Sequence, residues 1–183
     1  MTKIVTYEIT HQNGIDEMMN EIALEFDEQI FPKATIETPI VPDKYWVAIN
    51  NGKIVGTVGI LVVENDFGVL KKMMLKKEFR GKEFGISKRL LETVIEWSEK
   101  NRIPKLYLGT MSQFKAAQSF YEKNGFKQIS ENELPNNFLN NPLDKVFFVQ
   151  DILPKLILTD FTQTQDNVNL KNINKMNTCR NIW

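Results

Sequence analysis

Three observations predict an α/β (α+β) domain from this sequence. A short apolar strand at 69–75 empties into a basic, glycine-containing loop at 76–85, which opens directly into an amphipathic helix carrying Ile86, Leu90, Leu91, Val94, Ile95 and Trp97. Two apolar runs flank Asn51-Gly52, a hairpin signal because both residues tolerate positive φ. Residues 14–31 place Ile15, Met18, Met19, Ile22, Ala23, Phe26 and Ile30 at helical spacing, so one face of that helix is buried.

A chain of 183 residues is one domain with a single sizeable core. Hydrophobic residues at 42% beside 25% charged ones exclude disorder throughout. A formal net charge of zero gives no general attraction to nucleic acid or anionic membranes, and the one concentration of basic residues lies at 71–89. The single cysteine, Cys179, rules out an intramolecular disulfide, and nothing resembles a paired zinc ligand set. No stretch approaches the ~20 apolar residues of a membrane span, and no apolar run follows the basic start. A cytoplasmic location is the expectation.

In chain order, KIVTYEITH alternates and reads as a strand ended by His11, the lone histidine, whose place at a strand end is more often that of a surface or turn residue than of a catalytic base. On the helix that follows, Glu21, Glu25, Asp27 and Glu28 form a solvated face or a field that attracts an amine. Pro32, Pro39 and Pro42 make 32–44 non-helical. Tyr45, Trp46 and Val47 then enter one hairpin strand and 54–63 forms its partner. Glu64-Asn65-Asp66 turns into the central strand, so the sheet grows as a meander.

The loop at 76–85 has the makings of an anion site. A helix's first turn offers N–H groups without intrahelical partners and the positive end of its dipole. Gly81 and Gly85 lack a Cβ, so a phosphate could approach the main chain, while Lys76, Lys77, Arg80, Lys82, Lys88 and Arg89 add positive charge. An ordinary connection with solvated lysines explains the same residues. The Gly-x-x-x-x-Gly-Lys-Ser/Thr run of a nucleoside-triphosphate site is missing, as is the Gly-x-Gly-x-x-Gly of a dinucleotide fold.

Downstream, a strand at 105–109 leads to a helix at about 112–123, stopped by Asn124-Gly125, and a further strand starts at Phe126. Residues 127–133 and the loop ELPNNFLNNPLD lead to a last strand, KVFFVQDI. From Pro154 the character changes, and 162–183 is polar and asparagine-rich without a period. The expected organisation is one domain at 1–153 and a partly flexible C-terminal extension at 154–183.

Two segments, in order and about 30 residues apart, resemble the GCN5-related N-acetyltransferases (GNAT family). That family holds the pyrophosphate of acetyl-coenzyme A (acetyl-CoA) on a Gln/Arg-x-x-Gly-x-Gly/Ala loop at a helix N-terminus. A register from Arg80 puts Glu83 and Gly85 on the two glycine positions. The preferred register, from Lys82, puts Gly85 on the first and Ser87 on the Gly/Ala position, with Leu90 and Leu91 on the family's apolar pair. The second segment, from Ala117 through Phe120, Tyr121, Glu122, Lys123, Asn124 and Gly125 to Phe126, is similar to the family's Ala-x-x-x-Tyr-x-Lys-x-Gly-Phe; Phe114 stands where the family often has Asn.

The resemblance implies a mixed, mostly antiparallel central sheet with helices on both faces, the acyl-CoA N-acyltransferase fold. It implies that the central strand and the one after its helix splay apart and that the pantetheine arm enters between them against the backbone of Met73, Met74 and Leu75. Arg80, Gly81, Lys82, Phe84, Gly85, Ile86, Ser87, Ala117 and Phe120 are the remaining coenzyme contacts, and Tyr121 is the hydrogen-bond or proton donor to the departing sulfur. The implied reaction moves an acetyl group from acetyl-CoA directly to a primary amine of a small molecule or peptide, in a chain that could form a homodimer. The strand at 69–75 lacks the acidic residue the family often uses as a base; Glu64, Glu25, Glu28 or water stand in for it. A non-catalytic coenzyme A-binding or regulatory module is the alternative.

Overall fold

The computed structural model describes residues 1–28, 30 and 42–152, and within them the predicted periodicities become seven strands and three helices. The strands are β1 (Lys3–Thr6), β2 (Lys44–Asn50), β3 (Lys53–Val63), β4 (Phe67–Leu75), β5 (Lys105–Thr110), β6 (Lys127–Ile129) and β7 (Val146–Asp151). The helices are α1 (Gln12–Ala23), α2 (Ile86–Lys100) and α3 (Lys115–Lys123). Met1–Ile152 forms one compact unit. The expected extension at 154–183 and the proline-bearing segment at 32–41 lie outside the described residues.

All strands join one sheet in the order β1-β2-β3-β4-β5-β7-β6. Among the described pairs only β4 and β5 are parallel, because α2 carries the chain back between them; the other neighbours are antiparallel. The β2–β3 turn has Asn51 at φ 47° and Gly52 at φ 76°, the paired positive values that match the twist of a two-residue hairpin.

Alternation along the strands distributes the core between two faces. Trp46 and Ala48 of β2 join Leu90, Leu91 and Val94 of α2 and Tyr121 of α3 on one face. Val47 and, more peripherally, Tyr45 and Ile49 join Ile15, Met18 and Ile22 of α1 on the other. Each fully buried Leu or Val of α2 contributes about 1.5–3 kcal/mol of apolar burial.

Several boundaries differ from expectation for identifiable reasons. The first strand stops at Thr6, since Glu8 and His11 cap a short 3-10 turn at Ile9–His11 in which the Glu8 N–H donates to His11 Nδ1 at 3.0 Å. His11 is thereby a turn residue. The helix expected over 14–31 ends at Ala23: Glu25 turns away to an arginine described below, and Phe26 packs on Phe114 with ring centroids 5.1 Å apart. The third helix begins at Lys115 rather than 112, after a turn in which the Phe114 N–H donates to the Met111 carbonyl at 3.2 Å. The strand after Phe126 is three residues long and gives way to a 3-10 turn at Glu131–Glu133, capped by Ser130.

Candidate active site at the splay of two parallel strands

The site originates in an incomplete strand pairing. Gly68 pairs with Leu106 and Val69 with Tyr107, and there the parallel ladder stops. β4 continues to Leu75 against β3, while β5 continues to Thr110 against β7. The two strands therefore diverge into a wedge open toward their C-terminal ends, with the facing N–H and C=O groups of β4 released from β5. Exposed strand edges of this kind accept another extended amide chain.

A bulge re-aims the far part of β4. Thr57 pairs with Met74 but Gly59 with Lys71, so β4 has one more residue than β3 across this step. Lys72 takes up the difference at φ 51°, and the Thr57 hydroxyl, fully buried, donates to its carbonyl at 2.7 Å. After the bulge Met73 packs toward the α2 face and Met74 toward the α1 face.

Beyond Leu75 the loop turns through a 3-10 segment, Lys77–Phe79, and reaches Gly85, which precedes α2 at φ 61° and ψ 12°. No side chain caps this helix, and a Cβ built on Gly85 meets nothing within 4 Å. The N–H groups of Ile86, Ser87 and Lys88 have no intrahelical partner and no side-chain cap, and they lie at the positive end of a helix dipole, an arrangement that binds anions. Lys82 and Phe84 are exposed beside it.

The basic residues of the loop divide by role. Arg80 points away from the helix N-terminus: its guanidinium grips Glu25 through two bonds of 2.6 and 3.0 Å and donates from Nε to the Leu75 carbonyl at 2.8 Å. Lys76 pairs with Glu21. Glu21 and Glu25 are accordingly not a merely solvated face; they fasten the end of α1 to this loop. Gly81, at φ 133°, sits against the Glu83 carboxylate.

The helix that follows β5, α3, packs on the same core. Ala117 and Phe120 lie against it, and Tyr121 is 7% exposed between the rings of Phe120, Phe126 and Phe148. Burial, with a smaller contribution from the negative charge of Asp144, holds its phenol well above the ordinary value of 10. It is a neutral donor at any physiological pH.

Of the carboxylates that could stand in for a base, Glu25 is held by Arg80 and Glu28 accepts from Gln113 at 3.2 Å. Glu64 lies in the β3–β4 turn, bonded to Asn137 at 3.1 Å, at the end of β4 opposite the wedge. The length of β4, about 30 Å at strand rise, separates it from Leu75. The carboxylate the wedge does contain is Asp144, which no motif announced. It precedes β7, is 8% exposed, and lies over Gly109 of β5, where a Cβ would come 2.5 Å from its Oδ2. Only the glycine makes that approach possible.

Known acetyltransferases resemble this chain in sequence and in fold. The family model of an acetyltransferase (GNAT) domain matches residues 42–128. The N-acetylaspartate synthetase of Danio rerio is 38% identical over 108 residues, which cover 57% of this chain and 37% of that protein. The chain thus spans little more than a third of the length of that curated relative. A solved GNAT-family acetyltransferase from Staphylococcus aureus superposes with a TM-score of 0.72 at 27% identity, over 84% of this chain and all of the other. The PaiA N-acetyltransferase of Thermoplasma acidophilum, solved in complex with coenzyme A, shares the fold at TM-score 0.63 and 17% identity, over 82% of this chain and 99% of its own.

Proposed function

We propose that this chain, whose residues 42–128 match the family model of an acetyltransferase (GNAT) domain, transfers the acetyl group of acetyl-CoA to a primary amine. The observation that carries the reading is the β4–β5 wedge, paired only at Gly68–Leu106 and Val69–Tyr107, ending beside an uncapped helix N-terminus. Structural relatives solved with coenzyme A support the cosubstrate class.

In this reading the main-chain N–H groups at Ile86 and Ser87, reached over Gly85 and flanked by Lys82, hold the pyrophosphate; Gly81 and Phe84 line its approach. The released backbone edge of Met73, Met74 and Leu75 pairs with the amides of the pantetheine arm, and Ala117 and Phe120 close the opposite side. Arg80 acts by holding the loop to Glu25, a revision of the direct phosphate contact that its charge alone suggested. Bound there, acetyl-CoA supplies an activated acyl group.

An alkylammonium has a pKa of about 10 and must lose a proton before its nitrogen can form the new C–N bond as the C–S bond breaks. The departing thiolate is the conjugate base of a thiol near pKa 8.5, about the value of cysteine. Tyr121, whose phenol is raised, stabilises that thiolate as a hydrogen-bond donor and keeps its own proton.

Calorimetric titration with acetyl-CoA and a thiol-release assay over an amine panel test the proposal together. Micromolar binding with turnover of an amine supports it. Binding without turnover of any amine selects the non-catalytic alternative, which the missing carboxylate on β4 favours. A cytoplasmic homodimer is part of the same reading; among the described residues no helix is long and apolar enough to cross a membrane.

A further inference from the structure

Two charged side chains stand on the α1 face of the wedge without being paired to each other. Leu70 and Leu108 pack on the α2 face, so alternation places Lys71 and Gly109 on the opposite one. Lys71 is half-buried; its ammonium donates to the Leu139 carbonyl at 2.9 Å and lies 5.6 Å from the centre of the Phe138 ring. It makes no ion pair within 4 Å among the described residues. Asp144 lies over Gly109, and no described residue donates a hydrogen bond to its carboxylate.

Asp144 is largely buried with no donor on its carboxylate, and Lys71 is half-buried with a carbonyl but no anion, so each gains from an opposite charge brought by a ligand. Burial raises the Asp144 carboxyl above its ordinary range, with Lys71 and Lys145 opposing the shift, and lowers the Lys71 ammonium, with Asp144 opposing it. The charged groups acting on Asp144 are Lys71 from β4 and Lys145 from its own loop, and the Asp144 charge is felt in turn by Tyr121 of α3. A ligand carrying both an ammonium and a carboxylate brings Asp144 a donor and Lys71 an anion at once.

We propose that Asp144 and Lys71 form the acceptor subsite for an α-amino acid, Asp144 holding the ammonium and taking its proton, Lys71 holding the α-carboxylate. The proposal rests on the acetyltransferase reading and deepens it. Asp144 accepts one proton from the ammonium, and the freed nitrogen lone pair forms the C–N bond to the acetyl carbon. The C–S electron pair leaves with the sulfur as thiolate. The second nitrogen proton passes to that thiolate, and Asp144 returns its proton to solvent. The products are the N-acetyl amino acid, the free thiol of coenzyme A and one released proton.

The test measures acetyl-CoA turnover by the full chain with the common L-α-amino acids, each beside the matching amine lacking the carboxylate, such as phenylalanine with phenethylamine. Calorimetry with acetyl-CoA runs in parallel. At least one amino acid should exceed its matching amine in kcat/KM by about tenfold or more. Asp144→Asn should lower kcat by about 100-fold or more, the usual scale for losing a general base, while acetyl-CoA binding stays unchanged. Lys71→Met should raise KM for the amino acid by a larger factor than for the matching amine, both measured above the acid limb, and this arm stands even if the Asp144 variant fails to fold. In the pH profile, Lys71→Met should move the acid limb of kcat/KM to higher pH, since Lys71 opposes the raised Asp144 pKa, and Asp144→Asn should remove the limb. Amines used as well as amino acids, or no amino acid used by a protein that still binds acetyl-CoA, would overturn this subsite and leave the transferase standing. Failure to bind acetyl-CoA would instead remove the reading on which the subsite rests.

Discussion

Replacing Gly85 with alanine separates the anion site from ordinary loop geometry, because its two effects have different origins. Gly85 has φ 61°, and a side chain in that left-handed region costs about 1–2 kcal/mol. Nothing lies within 4 Å of the added methyl, so no packing clash adds to the cost. At about 2–4 °C per kcal/mol for a chain of this size, the melting temperature should fall by about 2–8 °C. The methyl, however, projects into the open space above the first turn of α2. A phosphate displaced from one main-chain donor forfeits a charge-assisted hydrogen bond of about 1.5–3 kcal/mol. Acetyl-CoA should therefore bind about 10- to 150-fold more weakly. Thermal melting read by circular dichroism gives the first number, and calorimetric titration at a temperature where the variant is folded gives the second. A variant that melts lower yet binds acetyl-CoA within twofold of the parent would refute the assignment of the α2 N-terminus to the pyrophosphate.

Other substitutions separate neighbouring roles. Arg80→Ala should destabilise by about 1 kcal/mol or less, the worth of a solvent-accessible pair, because its guanidinium is 41% exposed and bonds Glu25 rather than the helix N-terminus; denaturant unfolding measures this. Lys82→Ala should leave the melt unchanged and weaken acetyl-CoA binding in a salt-dependent way, which titration at two ionic strengths would show. Tyr121→Phe should retain coenzyme binding and lose turnover, and the parent enzyme should show no alkaline limb from this phenol up to pH 10, since its pKa is raised. Asp144→Asn should melt higher at pH 7 than the parent. The native carboxyl titrates above its unfolded value, so between the two pKa values the native state binds more protons and stability falls as pH rises. The gain should vanish below the unfolded carboxyl pKa of about 3.9, where both states are protonated; melts across that range would expose a wrong sign.

Local chemistry made most of the fold legible in the sequence. Period-2 runs marked the strands, the apolar stripe from Ile86 marked α2, and Asn51-Gly52 and Asn124-Gly125 marked their turns, because each is a property of a few adjacent residues. Gly85 was legible for the same reason: the left-handed backbone ahead of α2 favours a residue without a Cβ. The end of α1 was less so. Phe26 and Ile30 keep the helical period, but Glu25 is drawn to Arg80, 55 positions away in sequence, and no period records a distant partner.

The chain in isolation therefore determined its elements, its turn residues and the glycine-bearing loop that fits an anion. It did not determine where β4 and β5 part, since that depends on β4 following β3 while β5 follows β7. Nor did it bring Asp144 over Gly109 or set Lys71 on the same face of the wedge. Asp144 sits in an asparagine- and proline-rich loop whose composition signals only a turn. Its burial, and the cost of leaving that carboxylate without donors, arise when β7 closes against β5. Propensity and periodicity act between neighbours along the chain, whereas the desolvation that gives a buried charge its chemistry acts only after distant segments have excluded water together.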